Sequence, residues 1–338
     1  MQPESNKSLR HYNSFGFDVR AKYFISVKSV DDLAEVLEWS KLNSLSVYIL
    51  GGGSNTVFTG DIDGLVIHMG ITGSRIYSSD DSKITIEVGA GCDWHQLVID
   101  TLKQKHYGLE NLAMIPGLAG AAPIQNIGAY GVEVCERLHS VTTFNRHSGE
   151  QQTLTNPDCE FGYRHSLFKT ARGRDFIITS ITLELSRQDS TRVGYKALLD
   201  ELEQNGITNP TANDVFNSVC AVRASKLPDP KVLGNAGSFF KNPTLESQQL
   251  DDLQALCSDI PVYPQQDGRF KVPAAWLIEN AGWKGHRSGP VGVHTKQALV
   301  LVNHGGGNGQ QIAILADDIQ HDIKSRYNIE LEREPQII

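Results

Sequence analysis

Apolar residues recur along this chain with the spacing of amphipathic helices in four places. The first place follows Ser29-Val30-Asp31-Asp32, which resembles a capping box, and it carries Leu33, Val36 and Leu37 on one face. The other helices are predicted after Asp93 (with Trp94, Leu97, Val98 and Leu102 on one face and an end near Gly108), after Thr211 (with Val215, Val219 and Val222 inward) and around Ile312 (with Leu315, Ile319 and Ile323). The prolines of Leu227–Pro230 should end the third helix.

Short runs of strand-forming residues lie among these helices. The predicted strands are Val47–Leu50, Leu65–Ile67, Ile84–Val88 and Phe176–Leu185, within a mostly extended region from 140 to 186, and a strand-like tail from 328 to 338. Helices and strands together predict an α+β fold, with domain boundaries near 68 and 215.

Composition narrows the class of protein. The 338 residues are 40% hydrophobic, which is enough for two or three domains. The net charge of -8 disfavours a nucleic-acid binder. No apolar run approaches the length of a membrane span, and residues 1–18 lack the apolar core of a secretory signal. We therefore expect a cytoplasmic protein with neither nucleic-acid nor membrane partners.

The cysteines and histidines give no sign of a metal site. The five cysteines are odd in number, widely spaced and without a CxxC pair, and the eleven histidines include no HExxH. This usage argues against a disulfide framework and against zinc, and it fits a reducing compartment.

Two glycine-rich segments suggest a ligand. Residues 115–133 read IPGLAGAAPIQNIGAYGVE, carry no charge before Glu133 and would suit backbone wrapped against a large flat molecule, although a glycine-rich turn is the simpler alternative. Gly51-Gly52-Gly53-Ser54-Asn55 follows a predicted strand, and its successive N–H groups could hold phosphate oxygens. Thr56 stands where a dinucleotide fingerprint needs its third glycine, so a classical Rossmann site is disfavoured.

Positive charge concentrates in two other places. Arg164, in the sequence FGYRHS, has a planar fork that can grip a carboxylate at two points. Residues 223–241 read RASKLPDPKVLGNAGSFFK, where four basic residues minus one acidic residue give +3. This contrast with the net charge of the chain suggests an anionic ligand, and Arg223 and Lys226, three positions apart, should share a helix face. A solvated basic surface remains a real alternative for Lys231, but it is less attractive because the segment continues into the small residues of GNAGSFFKNP.

These motifs resemble those of the UDP-N-acetylenolpyruvoylglucosamine reductases, flavoenzymes of bacterial peptidoglycan synthesis. The resemblance spans nearly the whole chain, and the motifs occur in the order found in that family. It is carried by the 115–133 segment, by Leu50–Asn55 (similar to LGxGSN), by Tyr163-Arg164 with Ser166 and Phe168 (GYR-x-S-x-F) and by residues 234–243 (GNAGSFFKNP).

The resemblance implies a fold, a set of domains and cofactors. It implies a two-part FAD-binding region of the vanillyl-alcohol-oxidase type and a C-terminal α+β substrate domain. The parts would be residues 1–67 and 68–214 for FAD and 215–327 for the substrate, with 328–338 returning to the active site. FAD would be bound non-covalently, NADPH would donate the hydride, and the protein would be a monomer without a metal.

The resemblance also assigns roles to single residues. Arg164 would hold the substrate carboxylate, Ser238 would donate a proton and Glu334 would help to stabilise the enolate-like state. The cofactor contacts would be Gly51, Gly52, Gly53, Ser54, Asn55, Pro116, Gly117, Gly120, Ala121, Ala122, Gln125, Asn126 and Gly128. The substrate contacts would be Tyr163, Tyr195 (the substrate-covering tyrosine of the long form), Arg223, Lys226, Asn242, Lys284 and Gln297.

Two segments depart from the family pattern. The family ends its catalytic region with Leu-Glu-Pro-Glu-Val, whereas this chain has Leu331-Glu332-Arg333-Glu334-Pro335, so Glu332 stays an alternative to Glu334. Ala121-Ala122 stand where better-known members have serines, which removes a hydroxyl near the flavin.

The implied reaction is NADPH-dependent reduction of UDP-N-acetylglucosamine-enolpyruvate to UDP-N-acetylmuramate by way of FAD. Two alternatives remain open. An FAD oxidase or dehydrogenase acting on an alcohol would keep both glycine segments but would not need GNAGSFFKNP. A non-catalytic UDP-sugar binding protein would keep the basic segment and have no use for a flavin.

Overall fold

A computed structural model describes residues 2–338. Its helices are α1 (Val30–Leu42), α2 (Trp94–Lys103), α3 (Lys196–Gln204), α4 (Ala212–Lys226), α5 (Ser247–Leu256), α6 (Ala274–Asn280) and α7 (Gly309–Tyr327). Its strands are β1 (Glu4–Ser8), β2 (Arg20–Val27), β3 (Val47–Leu50), β4 (Thr56–Val57), β5 (Ile62–Met69), β6 (Ser74–Ser79), β7 (Lys83–Gly89), β8 (Gly128–Ala129), β9 (Val132–Glu133), β10 (Leu138–Asn145), β11 (Gln151–Thr155), β12 (Phe176–Ser186), β13 (Gly234–Ser238), β14 (Thr244–Leu245), β15 (Tyr263–Pro264), β16 (Phe270–Lys271), β17 (Arg287–Ser288), β18 (Val291–Val293), β19 (Val300–Asn303) and β20 (Gln336–Ile337).

The predicted helices α1, α2, α4 and α7 are confirmed. At α1, the Ser29 hydroxyl accepts a hydrogen bond from the Asp32 amide at 3.0 Å, and the Asp32 carboxylate accepts one from the Ser29 amide at 3.1 Å. Helix α2 ends at Lys103 rather than near Gly108, because Lys105 has a left-handed backbone (φ 59°) that interrupts the helix.

Contacts divide the chain into two compact units. Among the described residues, unit 1 comprises 2–7, 21–52 and 62–225, and unit 2 comprises 8–20, 53–61 and 226–338. The segments 8–20 and 53–61 therefore group with the C-terminal part of the chain. The division into residues 1–67, 68–214 and 215–327 stays a prediction.

Unit 1 contains two sheets. The first has the order β1-β2-β5-β3, in which β2 and β3 both run parallel to β5. The second is antiparallel with the order β11-β10-β12-β7-β6. One apolar core joins Leu65 of the first sheet to Ile181 of the second and includes Trp94 of α2, each at most 1% exposed.

Unit 2 is built on the sheet β13-β19-β18-β17, against which α7 packs. Ile312, Ile319 and Ile323 of α7 are completely buried, as the apolar spacing predicts. A small sheet, β14-β16-β15, and a parallel pair, β20 with β4, complete the unit. None of the helices within residues 2–338 is long and apolar enough to cross a bilayer.

Candidate active site

The two glycine-rich segments meet in unit 1. A Cβ added to Gly52 would lie 3.0 Å from the Gly117 Cα, and one added to Gly51 would lie 3.8 Å from the Ala121 Cβ. Backbone thus packs directly on backbone, which only small residues permit. Gly120 serves this packing as well, since its own Cβ would lie 2.5 Å from the Ala90 Cβ.

The loop after β3 has the geometry of an anion-binding turn. Gly53 has a left-handed backbone (φ 61°), and a Cβ there would lie 2.0 Å from the Tyr12 carbonyl oxygen. The amides of Gly52 and Gly53 donate to no acceptor among residues 2–338. Two successive N–H groups without a protein acceptor are suited to donate to phosphate oxygens.

Ser14 adjoins this loop and was not predicted from the sequence. Its amide donates to the Gly53 carbonyl at 3.1 Å, and its hydroxyl is buried without a hydrogen-bonding partner in the described chain. A buried hydroxyl normally has a partner, so its position beside the loop favours a polar ligand there. The surrounding sequence, HYNSFGFD, contains no motif that would have indicated this.

Asn126 acts as an internal brace of the 115–133 segment. Its Nδ2 donates to Glu133 Oε2 at 2.8 Å and to the Gly162 carbonyl at 3.1 Å, and its Oδ1 accepts from the Cys135 amide at 3.1 Å. The residue is fully buried. Its predicted contact with the cofactor would therefore have to use the backbone, because the side chain is already occupied.

Arg164 lies at the tip of a tight turn in unit 1. Gly162 and His165 exchange two backbone hydrogen bonds, at 3.0 and 3.1 Å, which leaves Tyr163 and Arg164 as the tip. Arg164 has φ 52°, an uncommon conformation that tends to occur at functional sites. Its guanidinium donates to the Gly128 carbonyl at 2.9 Å, so the glycine segment orients it.

Arg223 is a shielded cation near Arg164. The Nε of Arg223 is inaccessible to solvent and has no hydrogen-bonding partner among the described residues. Burial lowers the pKa of Arg223, and the positive charge of Arg164 lowers it further. The side chains of Tyr130 and Cys220 act in the opposite direction and raise it. Arg223 is half-buried as a whole, and its shielded, unpartnered Nε favours an anionic ligand here.

Tyr195 stands beside Tyr130, a residue that the sequence did not single out as a contact. Tyr195 is 50% exposed, and its ring meets the Tyr130 ring edge-on at 5.4 Å between centroids. Asn111 links the backbone at Tyr130 to the segment that precedes Tyr195. Its Nδ2 donates to the carbonyls of Tyr130 at 3.0 Å and of Arg192 at 2.9 Å. The predicted substrate-covering tyrosine therefore rests on an ordered aromatic neighbour.

Ser238 ends β13 in unit 2, after a bulge. The pairing of β13 with β19 shifts between Asn235 and Ser238, and Gly237 takes φ 69° there. The side chain of Asn235 holds the bulge, since its Oδ1 accepts from the Gly237 amide at 2.9 Å. The Ser238 hydroxyl is half-buried and makes no hydrogen bond to any described residue, so it is available to a ligand.

The C-terminal tail pairs with the residues that follow Ser238. The Glu334 amide donates to the Phe239 carbonyl at 2.9 Å, and the Lys241 amide donates to the Glu332 carbonyl at 2.9 Å. Glu332 is exposed and forms an ion pair with Lys241, whereas Glu334 is half-buried beside the Ser238 turn. The tail geometry favours Glu334 over Glu332 as the functional acid.

The other residues predicted to contact the substrate are distant from one another in the sequence, and three of them bond to protein groups. Asn242 Oδ1 accepts from the Ala274 amide at 3.0 Å and so caps α6. Lys284 forms an ion pair with Glu279 at 2.7 Å, and the Gln297 side chain accepts from the Leu299 amide at 3.4 Å. Lys226 is exposed at the end of α4. Their roles toward a substrate stay predictions.

Comparison with known proteins decides the family. Residues 229–338 match the model of the UDP-N-acetylenolpyruvoylglucosamine reductase C-terminal domain, and residues 21–155 match that of an FAD binding domain. The UDP-N-acetylenolpyruvoylglucosamine reductase of Pseudomonas aeruginosa is 45% identical over 337 residues, which is 100% of this chain and 99% of that protein. The protein of the same name from Paraburkholderia phymatum is 46% identical, with 99% of each chain covered. The chain belongs to this reductase family.

Solved structures agree in fold. The UDP-N-acetylenolpyruvylglucosamine reductase of Thermus caldophilus has a TM-score of 0.67 at 22% identity, covering 100% of this chain and 99% of that one. A vanillyl-alcohol-oxidase-type flavoprotein from Myceliophthora thermophila has a TM-score of 0.52 at 12% identity, covering 95% and 73%. The predicted α+β fold with its flavin-binding region is confirmed, and as a member of the reductase family the chain is an FAD-dependent oxidoreductase.

The residues present fit the FAD that the reductase family implies. The loop at Gly52 and Gly53 offers unused amides for a pyrophosphate, and the buried Ser14 hydroxyl adjoins it. The uncharged, closely packed segment around Gly117 suits a flat ring system. Ala122 is 2% exposed, so the residue that replaces a family serine packs into the core.

Replacing Gly53 with alanine should abolish tight binding of FAD. The new Cβ would meet the Tyr12 carbonyl at 2.0 Å in a backbone conformation that alanine adopts at a cost of about 1–2 kcal/mol. We expect most of the purified variant to lack flavin absorbance. Gly60→Ala is the matched control, because a Cβ there meets no atom within 4 Å and φ is not positive. Equal flavin content in the two variants would contradict a role for the Gly53 turn.

Proposed function

We propose that this chain reduces UDP-N-acetylglucosamine-enolpyruvate to UDP-N-acetylmuramate with NADPH, as a step of peptidoglycan precursor synthesis. The observation that carries the proposal is the pairing of Glu334 with Phe239, which brings a carboxylate next to the turn bearing the available Ser238 hydroxyl. The family matched by residues 229–338 supports the choice of substrate. We propose further that the enzyme acts as a cytoplasmic monomer.

The backbone of residues 51–55 and of 116–128 would hold the FAD. When bound, FAD supplies the hydride carrier that links NADPH to the alkene of the substrate. The chain itself must then bind the enolpyruvyl group, exclude water and donate one proton to the substrate. Hydride addition at the terminal alkene carbon leaves negative charge delocalised toward the carboxylate, so the protein must stabilise an enolate-like state.

Arg164 is suited to that stabilisation. Its guanidinium is already oriented by the Gly128 carbonyl, and its planar fork can donate hydrogen bonds to both oxygens of a carboxylate. A preoriented cation loses little reorganisation energy as charge develops. Arg223, whose Nε has no partner in the described chain, would neutralise the diphosphate of the substrate together with Lys226.

Ser238 would complete the reaction by donating its hydroxyl proton to the carbon adjacent to the carboxylate. One hydride and one proton then convert the alkene into a saturated lactyl ether, and the electrons balance. Ser238 follows the irregular turn at Gly237, and its hydroxyl makes no hydrogen bond to any described residue, so it is available to the substrate. Tyr195 would cover the nucleotide.

Glu334→Gln should reduce turnover far more than Glu332→Gln. Glu332 is mostly exposed and tied to Lys241, whereas Glu334 adjoins the Ser238 turn. We expect loss of a carboxylate that helps to stabilise the enolate-like state to cost roughly a hundredfold, and loss of the exposed ion pair to cost little. Steady-state kinetics of the two variants measure this. The reverse order would mean that the acids exchange roles.

Anaerobic titration of the purified protein tests the function. NADPH should bleach the flavin absorbance, and UDP-N-acetylglucosamine-enolpyruvate should restore it with formation of UDP-N-acetylmuramate, detected by mass spectrometry. Bleaching by an alcohol instead of NADPH would favour the oxidase or dehydrogenase alternative. Absence of flavin would favour the non-catalytic binding protein.

A further inference from the structure

Arg333 stands between Glu332 and Glu334, but its side chain turns away from them toward α7. Its Nε donates to Gln320 Oε1 at 2.8 Å, and its Nη2 forms an ion pair with Asp317. The Arg333 side chain is only 20% exposed, although Asp317 is 70% exposed. The Ala313 carbonyl also accepts from Nη2, at 3.4 Å, so three groups on one face of α7 hold this arginine.

Helix α7 also binds the backbone of the tail. Gln320 Nε2 donates to the Leu331 carbonyl at 2.6 Å, so one glutamine contacts both Leu331 and Arg333. Ile329 and Leu331 are 3% and 4% exposed, and with Arg333 they form one face of the extended tail. The alternating glutamates consequently lie on the other face.

The opposite edge of the tail is fixed by backbone pairing. Glu334 donates to Phe239, and the next residues continue along the loop after β3, where the Gln336 amide donates to the Asn55 carbonyl at 3.0 Å. Such a ladder alone permits a slip by two residues, which preserves the faces and would put Glu332 in the place of Glu334. The contacts of Arg333 with α7 are specific to one register.

We propose that Arg333 is a positioning residue, which anchors the tail to α7 and thereby selects Glu334, rather than Glu332, as the acid beside the Ser238 turn. This inference rests on the proposed role of Glu334. Proline at this position in the family pattern restricts the backbone through its ring. Here the guanidinium restricts the tail from outside, through Asp317 and Gln320.

The test compares Arg333→Ala with Arg326→Ala in the FAD-loaded enzyme. Arg326 lies near the end of the same helix and pairs with Asp322. It makes no hydrogen bond or ion pair with the tail among the described residues, so its replacement is a matched loss of an arginine. We expect Arg333→Ala to accelerate hydrogen–deuterium exchange at residues 334–338 and to slow reoxidation by the substrate roughly tenfold to a hundredfold. Reduction by NADPH should keep its rate. Arg326→Ala should change none of these quantities.

A double variant separates positioning from general stability. If Arg333 acts through Glu334, Arg333→Ala should add little further loss in a Glu334→Gln background. The proposal would be overturned if the two substitutions slowed reoxidation by the product of their separate effects. It would also be overturned if Arg333→Ala left hydrogen–deuterium exchange in the tail unchanged. Asp317→Asn provides the same comparison with a milder change if Arg333→Ala folds poorly. Normal reoxidation in Glu334→Gln would instead refute the role of Glu334, while the exchange data would still decide whether Arg333 fixes the tail.

Discussion

Ser238→Ala should yield an enzyme that is reduced by NADPH at the normal rate but is reoxidised by its substrate about a hundredfold to ten-thousandfold more slowly. The physical reason is that hydride transfer leaves a carbanion-like centre, which cannot be quenched without a positioned acid. Reduction of the flavin by NADPH needs no such acid. The Ser238 hydroxyl has no hydrogen-bonding partner in the described chain, so its removal should not disturb the β13 bulge.

Anaerobic stopped-flow on the prereduced enzyme measures the second half-reaction directly. Ser288→Ala is a suitable control, because Ser288 is exposed on β17 of the same sheet and should tolerate the loss of its hydroxyl. Ser238→Cys should retain part of the activity, since a thiol can also donate a proton. If Ser238 only shaped the turn, substrate binding would weaken and saturating substrate would restore the rate. Near wild-type reoxidation of Ser238→Ala at saturation would therefore refute the proton-donor role.

Local sequence signals predicted the elements that depend on local physics. The capping box at Ser29, the Asp93 cap and the apolar spacing of α7 all correspond to observed helices. Helices α3, α5 and α6 were not predicted, since they are short and have few buried apolar residues. Helix α6 also depends on a cap from the distant Asn242. Tertiary contacts of this kind leave no periodic trace in the sequence.

The candidate site likewise has features that the sequence indicates and features that depend on tertiary contacts. Motif order proposed Arg164, Ser238 and Glu334 as site residues, because the family pattern fixes their positions in the chain, and their roles stay predictions. The sequence did not show that Arg333 faces α7, since this depends on which face of the tail is buried. Nor did it reveal the buried hydroxyl of Ser14, whose neighbour Gly53 lies 39 positions away in the sequence (53 minus 14).

Arg164→Lys should impair reduction of the enolpyruvyl group while sparing reduction of the flavin by NADPH. Lysine keeps the positive charge but replaces a planar two-point donor with a single ammonium group. It would also lose the geometry by which the guanidinium donates to Gly128. One charged hydrogen bond contributes about 1.5–3 kcal/mol, so we expect reoxidation to slow by roughly tenfold to a hundredfold.

The kinetic form of the loss identifies the role of Arg164. If its contacts with the carboxylate strengthen as charge develops, kcat should fall along with kcat/KM, whereas a mere ground-state contact would raise KM alone. Arg172→Lys is the control, because Arg172 lies in the same unit, is largely exposed and pairs with Glu160. Its replacement should leave both half-reactions unchanged. Wild-type reoxidation by Arg164→Lys would refute the two-point grip by Arg164. The carboxylate would then be held by another cation, such as Arg223, which interacts electrostatically with Arg164 and whose Nε has no protein partner in the described residues.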